Sequence, residues 1–363
     1  MKIIKKYLNR YFIDGFGAMA LGLFSTLIIG TILSQIAAFI SNDFIKTYIL
    51  FAANMAKTVT GAGIGVAVAV KFGASPLLTA AAGACGMLGA FPTLPNALID
   101  NSNVTYLVFG KPGEPLGAFI AAVFAIEFGR LVSGKTKLDI ILTPLVAIVC
   151  GSAAAFLLSS PISSFMNWLG QLVNVNVDKS PIIGGIIVSV LMGIFLTLPI
   201  SSAAIGVSMG LSGLAAGAAC VGCCCQMVGF AVISYKDNKI GGLIAQGVGT
   251  SMLQIPNIMK KPIIWTAPIL SSAILGPISS AVIKMTNTPS GSGMGTSGIV
   301  GPLQAYQSMA MGENPLFSPI SAVIWIVLMC VIFPIILNLL FDFILRKTGL
   351  IKKGDMLLPS LSK

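Results

Sequence analysis

The residues best suited to bind a solute lie in a stretch of glycine, serine, threonine and proline at positions 288–306, TPSGSGMGTSGIVGPLQAY. Glycine allows the backbone to turn sharply and to come close to another group. In a membrane, irregular backbone survives at depth only where it lines a cavity or is buried in protein. Composition alone leaves two interpretations open, a binding site or a solvated loop between two spans.

The chemistry of this stretch favours a neutral, sugar-like solute. Hydroxyl groups and the free backbone amides between glycines suit the oxygen atoms of a small polar molecule. Hard cations prefer carboxylates, and the whole chain has only 11 aspartates and glutamates, so a metal site is not predicted here. The candidate binding residues in the stretch are Ser292, Gly293, Gly295, Thr296, Ser297, Gly298 and Gln304.

Three further candidates are polar residues inside apolar segments, where such groups usually face a cavity or a partner. Glu127 could hydrogen-bond a sugar hydroxyl or bind a coupling proton, or it could form an ion pair with Arg130, three residues later on the same helix face. Lys57 either takes part in a site or extends to the membrane interface, and Asn54 shares its helix face.

These residues belong to a chain with the composition of a membrane protein. Of its 363 residues, 56% are hydrophobic and only 9% are charged, against roughly a quarter in soluble proteins. Apolar stretches of about 20 residues recur along the chain and predict an all-α polytopic protein of the lipid bilayer. The net charge of the chain is +11. Its lysine and arginine residues lie mostly between the apolar stretches and at the termini, which is typical of residues that set membrane orientation and does not indicate nucleic-acid binding.

The basic residues also predict the orientation of the chain. Lys2, Lys5 and Lys6 precede the first apolar run, and Arg346 and Lys347 follow the last one. Because positive residues are retained in the cytoplasm, both termini are predicted to lie there. The first run, residues 16–40, is too long for the apolar region of a signal peptide, so we expect a retained span and no cleavable leader.

About ten hydrophobic segments, two or three of them re-entrant, are predicted within one membrane domain of residues 1–363. The first and last spans are residues 16–40 and 317–345. Residues 44–70 are predicted to form one segment, and the chain is predicted to break at Pro161 between segments 139–159 and 161–177. Gln226, Gln246 and Gln254 lie in apolar surroundings and are interpreted as contacts between helices rather than site residues.

An internal repeat is indicated by two pairs of similar segments. Residues 62–66 (AGIGV) match residues 203–207 (AAIGV), and residues 85–89 (CGMLG) match residues 225–229 (CQMVG) at nearly the same offset. The predicted halves are residues 44–177 and 181–306. Two halves with broken, glycine- and proline-interrupted helices are typical of secondary transporters. The alternative is that helices rich in alanine and glycine resemble one another by composition.

The seven cysteines do not predict a metal centre or a redox centre. Cys220, Cys223, Cys224 and Cys225 lie together in an apolar run of small residues, and the chain has no histidine and no second cysteine cluster. We interpret these thiols as small packing residues. We expect no cofactor, no metal and no catalytic residue. The sequence shows neither a carboxylate pair nor a nucleophile motif, so an enzyme is not predicted.

Two motifs resemble a known family. The segment SGMGTSGIVGPLQAY at residues 292–306 and the segment TGAGIGVAVAVKFGASPL at residues 60–77 resemble the EIIC-like membrane proteins of the perfringolysin O regulator type. These proteins are grouped with the sugar-permease subunits of the bacterial phosphotransferase system. The resemblance implies a dimeric protein of the bacterial cell membrane with a two-repeat EIIC-like transporter fold. It also implies elevator-type alternating access, with residues 291–302 at the tip of a re-entrant hairpin.

One departure from that family limits the activity that the resemblance implies. A complete phosphotransferase permease carries a phosphoryl group on histidine or cysteine of cytoplasmic domains. This chain has no histidine, and its cysteines all lie in apolar segments. Either separate cytoplasmic phosphotransferase subunits act with it, or it works without phosphorylation. The alternative function is a membrane-embedded solute sensor that regulates gene expression without net transport.

Overall fold

The computed structural model describes residues 7, 9–38, 40–91, 98–101, 104–107, 114–171, 177, 180–199, 202–311, 315 and 317–358. Lys2, Lys5 and Lys6, which predicted the orientation of the N-terminus, lie outside these residues. The described chain divides into two compact units, Met1–Met166 and Asn167–Lys363.

Among its described residues, the first unit contains helices and one short β-hairpin. The strands β1 (Leu98–Asn101) and β2 (Val104–Leu107) pair antiparallel. Two π-helical segments, Asn9–Gly15 and Phe24–Ile28, continue into the first two helices. The helices are α1 (Phe16–Leu23), α2 (Ile29–Ala38), α3 (Asp43–Thr58), α4 (Thr60–Lys71), α5 (Pro76–Ala90), α6 (Pro115–Val132) and α7 (Asp139–Gln171), which extends past the unit boundary.

The second unit consists of shorter and more irregular helical pieces. Three π-helical segments (Ala245–Gly249, Ile278–Ile283, Leu328–Ile332) and three 3₁₀ segments (Ser251–Gln254, Pro262–Trp265, Ser297–Ile299) adjoin its α-helices. The helices are α8 (Pro181–Thr197), α9 (Ser202–Ser208), α10 (Gly213–Ile233), α11 (Tyr235–Ile244), α12 (Ile255–Lys260), α13 (Thr266–Pro277), α14 (Pro289–Ser292), α15 (Val300–Ala310), α16 (Pro319–Val327) and α17 (Phe333–Lys347).

Among the described residues, six helices are long and apolar enough to cross a membrane, and the bent pair α3–α4 adds a seventh if it counts as one span. The six are Asn9–Ser34, Pro115–Val132, Asp139–Phe165, Gly213–Ile233, Pro262–Ile283 and Pro319–Lys347, with Pro76–Ala90 and Pro181–Thr197 as shorter apolar helices. Helices satisfy every backbone polar group internally, which lipid requires. The prediction of an all-α polytopic membrane protein is confirmed; the total of ten segments stays a prediction.

Two predicted helix boundaries were wrong. Segment 44–70 is not one helix, because α3 and α4 meet at Val59 with a bend of 54°. Conversely, the break expected at Pro161 is absent, and α7 continues through both Pro144 and Pro161. Proline is tolerated inside membrane helices because neighbouring helices and local adjustments can satisfy the backbone groups that it frees.

The first unit is held together by helices that approach one another at glycines. A Cβ atom on Gly61 would lie 2.6 Å from the carbonyl oxygen of Gly86, so α4 and α5 come closer than larger residues would allow. A Cβ on Gly22 would lie 2.5 Å from the carbonyl oxygen of Gly63, which brings α1 equally close to α4. Small residues are the usual means of close helix packing in membranes, where apolar burial alone does not favour association.

In the second unit, α10 is the central helix. It packs on α8, α13 and α17, and its residues from Ala216 to Ala231 are all buried. Hydroxyl groups tie these neighbours together: Ser272 donates to the carbonyl oxygen of Gly222 at 3.2 Å, and Ser189 donates to that of Ser272 at 2.8 Å.

The matched segments of the predicted repeat lie on successive helices in each unit. Residues 62–66 and 85–89 belong to α4 and α5, and residues 203–207 and 225–229 belong to α9 and α10. The repeat boundaries, residues 44–177 and 181–306, and the single membrane domain stay predictions.

The chain after α17 folds back onto the second unit. Ile351, Met356 and Leu358 are buried, and Lys261 forms a 2.6 Å ion pair with Asp355. Buried amides continue this contact: Gln254 donates to the carbonyl oxygen of Met356 at 3.0 Å and to the side chain of Gln246 at 2.8 Å. The interpretation of these two glutamines as packing contacts is consistent with this arrangement.

Glu114, just before α6 and outside the span, is a buried carboxyl group with one oxygen, Oε1, that has no partner among the described residues. Burial raises the pKa of Glu114 from 4.5 to about 7, although a hydrogen bond from the backbone of Leu116 acts in the opposite direction. The folded protein therefore binds a proton at Glu114 more tightly than the unfolded chain does.

This proton should make stability fall with rising pH. Between the unfolded pKa of 4.5 and the folded pKa of about 7, the folded state holds the extra proton, so deprotonation destabilises the fold. The total contribution is at most about 3.4 kcal/mol, at 1.36 kcal/mol per pKa unit. We expect the apparent Tm of detergent-solubilised protein to fall from pH 5 to pH 8, and Glu114→Gln to flatten this profile. Asp43→Asn, on the exposed start of α3, is the control; an unchanged slope in Glu114→Gln would contradict the prediction.

Candidate functional site

The glycine-rich stretch is a folded, largely buried element and not a solvated loop. It starts with the short helix α14, whose N-terminus is capped by the Thr288 hydroxyl accepting from the amide of Gly291 at 3.2 Å. A turn follows, then the 3₁₀ segment Ser297–Ile299 and helix α15. Ser292 is fully buried, and Ser297 is only 2% exposed. We call residues 288–304 the glycine hairpin.

The turn of the glycine hairpin depends on a left-handed backbone. Gly295 and Gly298 have φ angles of +50° and +53°, which glycine adopts without steric cost. Ile299 also lies in this region, at φ +61°, where a β-branched residue is a strained exception. Such strain persists only where the surrounding structure determines it, and it is found preferentially at functional sites.

The glycine hairpin packs directly against helix α10. A Cβ atom on Gly295 would lie 2.9 Å from the backbone carbon and the Cβ of Cys223, so only glycine fits there. One turn further along α10, the sulfur of Met227 contacts the Thr296 hydroxyl at 3.6 Å. The Cys223 thiol points to the carbonyl oxygen of Ser292 at 3.7 Å. Small side chains on α10 thus allow the irregular backbone to lie directly against a helix.

Most polar groups of the glycine hairpin hold its own backbone in place. Thr296 donates to the carbonyl oxygen of Gly247 at 2.5 Å, and Ser292 donates to that of Pro289 at 2.8 Å. The carbonyl oxygen of Gly293 accepts from Ser202 at 2.7 Å, and Gln304 accepts from the Thr288 hydroxyl at 2.8 Å. These predicted binding residues are therefore already engaged in hydrogen bonds that shape the segment.

Ser297 differs from the other hydroxyl residues of the hairpin. Its Oγ is buried and has no hydrogen-bond partner among the described residues. A buried polar group without a partner costs about 1–3 kcal/mol, so each such group needs a reason. Within the predicted set, Ser297 is the residue whose hydroxyl has no hydrogen bond to another described residue.

A second buried polar group without a hydrogen-bond partner lies on α10, between two residues that contact the glycine hairpin. Gln226, between Cys223 and Met227, is fully buried, and its Oε1 accepts from the indole nitrogen of Trp265 at 2.8 Å. Its Nε2 has no partner among the described residues. The sequence marked Gln226 as a helix contact, which its bond to Trp265 supports, but its free amide donor is visible only in the structure.

Residues Ser202 and Asn287 were missed by the sequence analysis. Ser202 anchors Gly293, and Asn287 donates to the carbonyl oxygen of Gly301 at 3.1 Å and accepts from the amide of Thr288 at 2.8 Å. Asn287 directly precedes the stretch that composition outlined, so its position next to a glycine-rich turn was the available signal. Ser202 lies far away in sequence and carried none.

The remaining predicted residues lie in the first unit, where Glu127 and Lys57 have partners. Glu127 pairs with Arg10 at 2.6 Å and with Arg130 at 3.9 Å, so the ion-pair alternative holds, with Arg10 as the nearer cation. Lys57 donates to the Ser34 hydroxyl at 3.0 Å, and the side chain of Asn54 is exposed. Their participation in a common site with the glycine hairpin stays a prediction.

Comparison with known proteins identifies the family. A model of the family described as phosphotransferase system, EIIC, matches residues 13–358. A comparison with curated proteins gave no match. The matched range begins in the first span and ends at the last described residue, so it includes both units and the glycine hairpin. This is a family of multi-pass bacterial membrane permeases for sugar-like solutes that work with cytoplasmic phosphotransferase components, and this chain belongs to it.

Proposed function

We propose that the protein carries a small, uncharged, sugar-like solute across the bacterial cell membrane and binds it at the glycine hairpin. The observation that carries this proposal is the buried, unpartnered hydroxyl of Ser297 in a hairpin held in a strained, left-handed turn. A solute hydroxyl that bonds to Ser297 removes the cost of the unsatisfied group. The membership of the EIIC family supports the same class of solute.

The proposed movement is elevator-type alternating access, in which a rigid element carries the solute. The glycine hairpin is suited to this role because it is bonded to α10 and to residues 202 and 247, not to a flexible loop. It can therefore move together with α10 as one rigid body. We further propose that the protein forms a homodimer with both termini in the cytoplasm.

Phosphoryl transfer, where it accompanies transport, is proposed to come from separate cytoplasmic subunits. The chain has no histidine, and every cysteine of the second unit is buried. A buried thiol in an apolar core has neither access to a phosphoryl donor nor an environment that stabilises a phosphoryl charge. We accordingly propose that this chain is a permease and not an enzyme. The alternative role is a solute sensor, which would bind the same ligand without moving it.

Uptake by proteoliposomes separates the permease from the sensor. We expect the purified protein to bring at least one member of a radiolabelled panel of hexoses, hexitols and disaccharides into vesicles, at a rate well above that of protein-free vesicles. A thermal-shift screen with the same panel detects binding independently of flux. Binding without flux under any solute or ion gradient would favour the sensor over the permease.

Gly295→Val should abolish solute binding. The new side chain would enter the left-handed region at φ +50° and contact the backbone of Cys223, so the turn must change shape. We expect affinity for the panel member found above to fall at least tenfold in a thermal-shift or filter-binding assay. Gly349→Val is the matched control, because that glycine has φ +73° but no atom near its Cβ position. Equal loss in both variants would show that backbone strain alone, not the site, causes the effect.

Ser297→Ala should weaken binding without weakening the fold. Removing an unsatisfied buried hydroxyl costs the folded state nothing in hydrogen bonds, so the apparent Tm should stay the same or rise. Solute affinity should fall by about fivefold to tenfold, the value of one hydrogen bond of about 1 kcal/mol or slightly more. Ser271→Ala removes an equally buried and unpartnered hydroxyl on α13 and should leave affinity unchanged. Wild-type affinity in Ser297→Ala would exclude this hydroxyl from the site.

A further inference from the structure

A pocket with both basic and apolar side chains lies at the end of the last membrane-spanning helix. It has a volume of about 550 Å³ and is lined by Val232, Ile233, Lys236, Leu339, Asp342, Phe343, Arg346 and Lys347. The first two of these residues lie at the end of α10, Lys236 belongs to α11, and the other five lie on α17. We call this the basic pocket. All of its lining residues belong to the second unit, and none is part of the glycine hairpin.

Cations outnumber acids in the lining of the basic pocket. Lys236, Arg346 and Lys347 each carry a positive charge and Asp342 carries a negative one, which leaves a net charge of +2. Lys236 and Lys347 are exposed and form no ion pair with another described residue. Two ammonium groups without a counter-charge beside one pocket attract an anion.

The third cation, Arg346, is held in a fixed orientation. Its Nε donates to Oδ2 of the buried Asp342 at 2.6 Å, and its Nη2 donates to the carbonyl oxygen of Ile233 at 3.0 Å. These bonds use two of the five N–H groups of the guanidinium, so the others can donate to a ligand. A planar, oriented guanidinium matches the oxygen atoms of a phosphate group. Asp342 is therefore a positioning residue for Arg346.

One side of the basic pocket is apolar and exposed. Leu339, Phe343 and Lys347 are spaced four residues apart and share one face of α17. Leu339 is 45% exposed and Phe343 is 63% exposed. This face thus changes from apolar to cationic towards the end of the helix. A phospholipid has the same order of groups, an acyl chain followed by a phosphate, whereas a free phosphate ion has nothing to place on the apolar half.

The position of the basic pocket along the span matches the headgroup layer of a bilayer. The span Pro319–Lys347 has 29 residues. At 1.5 Å per residue it is about 43 Å long, which exceeds the hydrocarbon core of about 30 Å. Charged groups are costly in hydrocarbon, so the end that carries Arg346 and Lys347 extends into the headgroup layer.

We propose that the basic pocket binds one anionic phospholipid. The lipid phosphate is bound by Lys236, Arg346 and Lys347, and an acyl chain lies along Leu339 and Phe343. Basic pockets between membrane helices are suited to such headgroups. A lipid bound here would join α11 to the end of α17. The site does not depend on the proposed transport function, since it is tested by lipid binding without any solute.

The test uses the full-length protein in detergent and native mass spectrometry, which counts bound lipids. We expect the wild type to retain one phosphatidylglycerol per chain at least fivefold better than phosphatidylcholine with the same acyl chains. The double variant Lys236→Ala, Lys347→Ala should lose this preference. The matched control Lys352→Ala, Lys353→Ala removes the same charge from exposed positions outside the pocket lining and should keep it. Equal retention of both lipids by the wild type, or equal loss in both double variants, would overturn the proposal.

Two further measurements distinguish a lipid from a free phosphate ion. Phosphatidylglycerol should raise the apparent Tm of the wild type, whereas inorganic phosphate should act no differently from chloride at the same ionic strength. Phe343→Ala should lower the retention of phosphatidylglycerol at least threefold, because it removes part of the apolar side of the pocket. Ile344→Ala, at an exposed neighbour outside the lining, is the control and should retain the lipid like the wild type. A phosphate effect equal to that of the lipid, or equal retention in Phe343→Ala and Ile344→Ala, would overturn the assignment to a lipid.

Discussion

The close approach of the glycine hairpin to α10 is the contact on which the second unit depends. Irregular backbone can lie against a helix only if neither surface carries bulk, and the chain meets this condition with glycines on one side and cysteines on the other. Gly295 faces Cys223, and Gly301 faces Cys220. A bulkier residue at either glycine would separate the two elements and expose backbone groups that lipid cannot satisfy. The unusual concentration of cysteine in α10 is explained first by this requirement for small, apolar side chains.

The same contact explains why so many hydroxyl groups are present and why so few are free. Folding an irregular segment inside a membrane protein leaves backbone donors and acceptors without helical partners. Ser202, Thr296 and Asn287 satisfy them, and thereby fix the shape of the turn. The hydroxyl of Ser297, in the hairpin, and the amide nitrogen of Gln226, on α10, stay without a partner among the described residues. The binding site proposed above for a small polar ligand requires such groups.

In the first unit, partly exposed charged side chains pair with one another. Glu127 lies between Arg10 and Arg130, and the guanidinium of Arg10 also lies 4.6 Å from the centre of the Phe72 ring. The Glu127 carboxylate is engaged by two cations. Glu114, by contrast, is buried, and its pKa, raised to about 7, means that this carboxyl group changes charge near neutral pH. The two carboxyl groups thus differ in their surroundings: Glu127 has two cations beside it, and Glu114 is buried.

The sequence by itself determined the class of the protein, because a lipid bilayer requires long apolar helices and these are visible directly in the composition and in the apolar stretches. It also located the glycine hairpin, since only a segment that cannot form a regular span has that composition. Tertiary structure decided which groups are available for chemistry. Only folding determines that Thr296 bonds Gly247 while Ser297 has no partner, that Arg10 reaches Glu127 from 117 residues away, and that Lys236 of α11 shares a pocket with Lys347 of α17. Local patterns report the periodicity of an element and the turns it permits. The partner of a given side chain depends on contacts between distant segments, which one sequence does not encode in any local pattern.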